Sequence, residues 1–124
     1  MMPTKEILVV DDEVGIRELL SEILQDEGYR VSLAENATAA RAYRARERPA
    51  LVLLDIWMPG IDGIETLRRI KEEQADQMVI MMSGHATIDT AVEATRIGAL
   101  AFLEKPITLQ KLLKAVEQGL SKKA

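Results

Sequence analysis

The chain of 124 residues contains no cysteine, which excludes disulfide bridges and thiolate metal sites and agrees with a reducing compartment. Aromatic side chains are almost as scarce, with one Trp, two Tyr and one Phe, so a flavin or nucleotide base that binds by stacking finds few partners. No segment reads G-x-x-x-x-G-K-[ST], and the loop that cradles a nucleoside triphosphate is thereby missing. Long apolar runs are absent too. Met1-Met2-Pro3-Thr4-Lys5 leads directly into a short strand-like segment, far too brief for a signal peptide or a membrane span. Sixteen Lys and Arg against twenty Asp and Glu leave a formal charge of -4, which opposes broad contact with a nucleic-acid backbone. A soluble cytoplasmic protein that touches neither membrane nor nucleic acid directly is the expectation.

What is present is ordinary globular material. Hydrophobic residues make up 48 % and charged residues 29 %, enough for a core and too little bias for a disordered or fibrous chain. The length suits one domain, placed at residues 1–120, with Ser121 to Ala124 as a C-terminal tail or the start of a linker.

Strand-like and helical segments alternate along it. Ile7 to Val10, Tyr29 to Ala34, Leu51 to Leu54, Met78 to Met82 and Ala101 to Glu104 read as strands. Between the first two, Ile16, Leu19, Leu20, Ile23 and Leu24 follow the spacing of a helix with one buried stripe, and Gly28 supplies its stop. In the second strand Val31 and Leu33 share a face. Asn36 is a plausible N-cap for an Ala-rich helix reaching about Arg48, where Pro49 forces a break.

Met58 to Gly63 reads as a loop, and Ile64, Leu67 and Ile70 as a helix fading near Glu73. Ile88, Ala91, Val92 and Thr95 predict a fourth helix, ending at Gly98. Leu109, Leu112, Leu113, Val116 and Leu120 predict a fifth, capped by Thr108. Strict alternation with short connections predicts an α/β fold, a doubly wound parallel sheet of five strands with helices on both faces. The apolar runs suit strands buried on both sides.

Ligands of such sheets bind outside the carboxyl ends of the strands. Four strands here end in residues that chemistry can use: Asp11 and Asp12, Asp55, Ser83, and Lys105 before Pro106. Two carboxylates ~4 Å apart repel by roughly 4 kcal/mol at an effective dielectric of about 20, so the acids imply a hard cation such as Mg²⁺, which takes oxygen ligands. Any one of the aspartates reads equally well as a helix cap; the three together do not.

Pointed into that site, the Lys105 ammonium would hold one phosphoryl oxygen. The Ser83 hydroxyl could donate to the same group or cap the following turn. A carboxylate can attack phosphorus to form an aspartyl phosphate. Asp55 is the best candidate, because Asp11 and Asp12 look like the metal pair.

Taken in order, Asp11-Asp12-Glu13, Leu54-Asp55 with Met58-Pro59 and Asp62-Gly63, Ser83-Gly84, Gly98-Ala99 to Phe102, and Lys105-Pro106 resemble the receiver domain of two-component response regulators, from Lys5 to about Leu120. The resemblance implies the flavodoxin-like (α/β)5 fold with strand order 2-1-3-4-5. It implies that Asp55 accepts phosphate from the phosphohistidine of a sensor histidine kinase. It also implies that Asp12, Asp55 and the backbone carbonyl of Trp57 bind Mg²⁺, that Asp11 acts largely through metal-bound water, and that Lys105 pairs with the phosphoryl group and precedes a cis peptide bond.

Ser83 and Phe102 are then the switch pair, which biases the surface of helix 4, strand 5 and helix 5 toward partner binding. A homodimer through that surface is one such expectation. Ser83-Gly84-His85-Ala86-Thr87-Ile88 is similar to receivers of the nitrogen-regulation type, usually fused to ATPase and DNA-binding modules that this sequence does not contain. Control of transcription through such output domains is the implied role, with catalysis limited to the domain's own phosphoryl transfer and autodephosphorylation.

Trp57 and His85 lie two positions beyond Asp55 and Ser83, where they would flank the phosphoryl group and slow its hydrolysis. The competing reading is a small Mg²⁺-dependent phosphohydrolase that also uses an aspartyl phosphate. It would want a second acid two residues after the nucleophile for leaving-group protonation, and that position is Trp57.

Overall fold

The computed structural model describes residues 5–55, 57–58, 61–84 and 88–121. Five parallel strands, β1 (Glu6–Val10), β2 (Arg30–Ala34), β3 (Leu51–Asp55), β4 (Met78–Ser83) and β5 (Ala101–Glu104), form one sheet in the order β2-β1-β3-β4-β5. Between and after them run α1 (Val14–Asp26), α2 (Ala37–Arg46), α3 (Gly63–Glu73), α4 (Ile88–Ile97) and α5 (Leu109–Ser121). The doubly wound α/β architecture and the strand order are those expected from the sequence.

Side-chain alternation along the strands explains why helices cover both faces. Ile7, Val9, Leu51, Leu53, Ile80 and Met82 point to one side and pack against Leu20 and Leu24 of α1 and Leu112, Val116 and Leu120 of α5. Leu8, Val10, Val52, Leu54, Val79 and Met81 point to the other, against Ala40 of α2, Leu67 and Ile70 of α3 and Ala94 of α4. Each central strand thus feeds two cores, which is why its apolar run is continuous.

The local signals for helix ends hold. The Asn36 side chain accepts the Ala39 N–H at 2.8 Å, and Thr108 Oγ1 accepts the Lys111 N–H at 3.2 Å. Gly28, at φ 92°, follows the C-cap of α1. Gly98, at φ 124°, leaves α4, and a Cβ there would lie 2.9 Å from Lys71 Cε. The Lys71 ammonium donates to the Gln77 carbonyl at 2.9 Å, so that side chain is pinned. Gly98→Ala is therefore expected to destabilise the domain by about 1–2 kcal/mol, read as a lower midpoint in urea; an unshifted midpoint would contradict the strain.

Several expectations need correction. α2 stops at Arg46, two residues early, because Glu47 is already extended at φ -129° and ψ 154° and the residue before Pro49 avoids helical geometry. Met58 and Ile61–Asp62, in the stretch read as a loop, belong to a short antiparallel pair that begins at Trp57, since reversing the chain brings their backbone groups together; Pro59 and Gly60 lie outside the described residues.

Leu19 is 53 % exposed although it fits the α1 stripe. Val92 and Thr95 of α4, Leu109 of α5 and Leu33 of β2 are likewise exposed. The i+3/i+4 pattern selects a broad apolar arc, and the rotation of each helix on the sheet decides which part of it is covered. At the edge strand β2, Val31 is half-buried against the core while Leu33 is exposed. Among the described residues, no helix is long and apolar enough to cross a membrane.

Candidate functional site

The sheet order places β1 and β3 side by side, with Val10 opposite Leu54, so the residues just beyond them meet. Asp11 follows β1 and its N–H donates to the Ala34 carbonyl of β2 at 3.1 Å. Asp55 is the last residue of β3, and β4 ends at Ser83. Lys105 follows β5, where its N–H donates to the Ser83 carbonyl at 2.7 Å. Its peptide bond to Pro106 is cis.

Asp11, Asp12 and Asp55 each bring one carboxylate oxygen into a set lying within 4.8 Å of one another. Asp11 and Asp55 are buried at 0 % and 1 % exposure, whereas Asp12 is exposed. Lys105 reaches between the buried pair: Nζ is 2.9 Å from Asp11 Oδ2 and 3.2 Å from Asp55 Oδ2. Burial alone pushes the Lys105 ammonium toward its neutral form. The hydrogen bond to Asp11 and the charges of Asp55 and Asp11 outweigh it, so its pKa stands above the ordinary lysine value.

Three carboxylates against one ammonium leave a local surplus of two negative charges. The donor set is all oxygen, with two buried acids and a third exposed one, and it fits a hard divalent cation rather than a soft one.

Ser83 is buried and shares the alternation of Val79 and Met81, which assigns it to the face covered by α2, α3 and α4. Phe102, opposite Met81, packs on that same side. Asp55 shares the alternation of Leu51 and Leu53, on the α1/α5 side. Ser83 and Phe102 thus share one side of the sheet, and Ser83 ends β4 at the same carboxyl edge at which Asp55 ends β3. The backbone of Trp57 sits two residues past Asp55; its side chain, and His85 altogether, lie outside the described residues.

Two residues at the site were not assigned roles from the sequence. Glu13 Oε1 stands 4.0 Å from Lys105 Nζ, and Arg17 Nη1 donates to the Asp11 carbonyl at 2.6 Å. Their spacing from Asp11 is the only local hint, and it acquires meaning once α1 is turned back over the strand end.

Comparison with known proteins agrees with this geometry. The family model for the response regulator receiver domain matches residues 7–117. The nitrogen assimilation regulatory protein NtrX of Azorhizobium caulinodans is 45 % identical over 117 residues, covering 93 % of this chain and 26 % of NtrX. The chain thus spans about a quarter of that relative. Sporulation initiation phosphotransferase F of Bacillus subtilis is 40 % identical over 123 residues, covering 99 % of both. A CheY-like response regulator receiver domain protein of Methanospirillum hungatei superposes with a TM-score of 0.92 at 32 % identity, over 97 % of this chain and 96 % of that one. A sheet of order 2-1-3-4-5 with clustered aspartates and an inserted lysine at its carboxyl edge, matched over nearly its whole length, belongs to the response regulator receiver domains, the phosphorylation-activated switches of two-component signalling.

Proposed function

We propose that Asp55 is the phosphoacceptor and that a sensor histidine kinase is the donor, acting in the cytoplasm. The observation that carries this reading is the Lys105 ammonium held between Asp11 and Asp55 beside a third carboxylate. An Asp55 oxygen bonds to phosphorus as the P–N bond of a phosphohistidine breaks. The imidazole leaves with that electron pair and is protonated from solvent. Lys105, already paired with Asp55, stays charged and close enough to follow the phosphoryl oxygens.

Asp11, Asp12, Asp55 and the Trp57 carbonyl would hold Mg²⁺, Asp11 mainly through water. The ion would neutralise charge on the transferred group. This catalysis serves the domain's own phosphorylation and autodephosphorylation, with no metabolic product.

The signal then passes through Ser83 and Phe102 to the surface of α4, β5 and α5. The outward apolar positions Val92 and Leu109 support a partner surface there, used for a homodimer or for output domains outside this chain. Kinship with the C4-dicarboxylate transport transcriptional regulatory protein DctD of Pseudomonas aeruginosa, 38 % identical and covered to 25 % of its length, favours transcription as the output.

The test is incubation with a small-molecule phosphodonor, with and without Mg²⁺, read by intact mass. Wild type is expected to gain one phosphoryl group only with Mg²⁺, and Asp55→Ala none. Labelling of the Asp55→Ala protein to the wild-type extent would overturn the assignment.

Trp57 and His85 are proposed to restrict water at the aspartyl phosphate. Trp57→Asn is therefore expected to shorten its lifetime at fixed Mg²⁺, and a lifetime equal to or longer than wild type rejects that role.

A further inference from the structure

Helix α1 begins without the usual device. Its N-cap is Glu13, whose side chain makes no capping hydrogen bond, although a helix start leaves several N–H groups in need of partners. The turn from β1 into α1 is held instead by Asp11 and Arg17. Asp11 Oδ1 accepts the Glu13 N–H at 2.9 Å. The Arg17 N–H closes the first turn on the Glu13 carbonyl at 3.0 Å, and its guanidinium returns to the Asp11 carbonyl at 2.6 Å.

We infer that Arg17 is a positioning residue for the acidic pocket: by gripping the Asp11 carbonyl it fixes the Asp11–Asp12 peptide and thereby the separation of the two carboxylates. The peptide it holds is the one from which both side chains diverge. Asp11 points inward to Lys105 at 2.9 Å, and Asp12 remains exposed with one oxygen in the three-carboxylate set. A rotation of that peptide would carry Asp12 out of the set while leaving the strand intact.

The bond comes from a charged donor to a carbonyl on a wholly buried residue, a type stronger than a neutral pair. Outer contacts that orient metal-ligating groups commonly matter for affinity as much as tenfold or more. Its guanidinium is bound to the Asp11 carbonyl, so Arg17 acts through Asp11 and Asp12.

This inference rests on the proposed function, and the experiment separates the two. Mg²⁺ affinity is measured by titration calorimetry on wild type, Arg17→Ala and Arg17→Lys, with phosphodonor labelling across a Mg²⁺ series and thermal unfolding without metal. Arg17→Ala is expected to weaken Mg²⁺ binding about tenfold and to shift the Mg²⁺ requirement of labelling by the same factor, with the rate at saturating Mg²⁺ within about twofold of wild type. Arg17→Lys, which keeps one cationic donor, is expected to recover most of the affinity.

Wild-type Mg²⁺ affinity in Arg17→Ala overturns the inference, whether or not its melting temperature falls. So does an equal loss in both variants. Should Arg17→Ala not fold, Arg17→Gln is read by the same criteria. A wild type that neither binds Mg²⁺ nor takes up phosphate would remove the functional reading itself, an outcome visible before any variant is compared.

Discussion

In a Lys105→Met protein without Mg²⁺, unfolding is expected to require about 3 kcal/mol less than in wild type, and added Mg²⁺ is expected to restore much of the difference. Asp11 and Asp55 are almost wholly buried, and both Oδ2 atoms lie within 3.2 Å of the Lys105 ammonium. Removing that partner strands two like charges out of water, and breaking a buried pair in this way costs roughly 3–5 kcal/mol. Lys105 itself keeps 16 % exposure, which favours the lower end. A divalent cation supplies the missing counter-charge, so the variant's stability becomes steeply Mg²⁺-dependent.

Phosphodonor labelling is expected to fall about a hundredfold even at saturating Mg²⁺, the usual scale for losing a group aimed at developing charge. Denaturant titrations with and without Mg²⁺ check the first effect and labelling rates the second. A metal-free variant as stable as wild type would mean that the lysine is merely solvated.

The pH dependence of this contribution follows from its sign. The folded pKa of Lys105 lies above its ordinary value of 10.5, so the folded state binds this proton more tightly than the unfolded chain. The stabilisation is complete below about pH 10.5 and is lost only as pH rises through the higher folded value. Between neutral and mildly alkaline pH it should be flat.

Leu53→Ala is expected to cost about 3–5 kcal/mol, and Leu19→Ala less than about 0.5 kcal/mol. Leu53 is fully buried on the face shared with α1 and α5, so truncation forfeits its transfer free energy and leaves a cavity between sheet and helices that can collapse only partly. Leu19 is 53 % exposed. Alanine is as good a helix former there, and substitutions at such surface positions change stability little. Paired urea titrations decide it: similar losses at both positions would mean that α1 lies on the sheet with a different rotation.

That contrast also measures how far the sequence could be read. The two leucines look alike in one dimension, because Leu19 fits the i+3/i+4 pattern of α1 as well as Leu20 does. Val92, Thr95 and Leu109 likewise fit the spacing of the helices they predicted and yet lie exposed. Element existence, the Asn36 and Thr108 caps and the stop at Gly28 were legible, since caps and stops depend on a few neighbouring residues. The strand order came from likeness to a family, not from periodicity.

At the site, Asp11, Asp12, Asp55, Ser83 and Lys105 could be chosen from the chain alone, because each stands where an apolar run ends and such ends gather at one edge of a parallel sheet. Residue spacing says nothing about distances across that edge. Folding decided that Lys105 enters between Asp11 and Asp55, that Phe102 packs on the side of the sheet covered by α2, α3 and α4, and that Arg17 reaches the Asp11 carbonyl. The reason is physical: alternation and capping are written within a few residues, whereas the rotation of a helix and the reach of a side chain are set by what packs against them from distant parts of the chain.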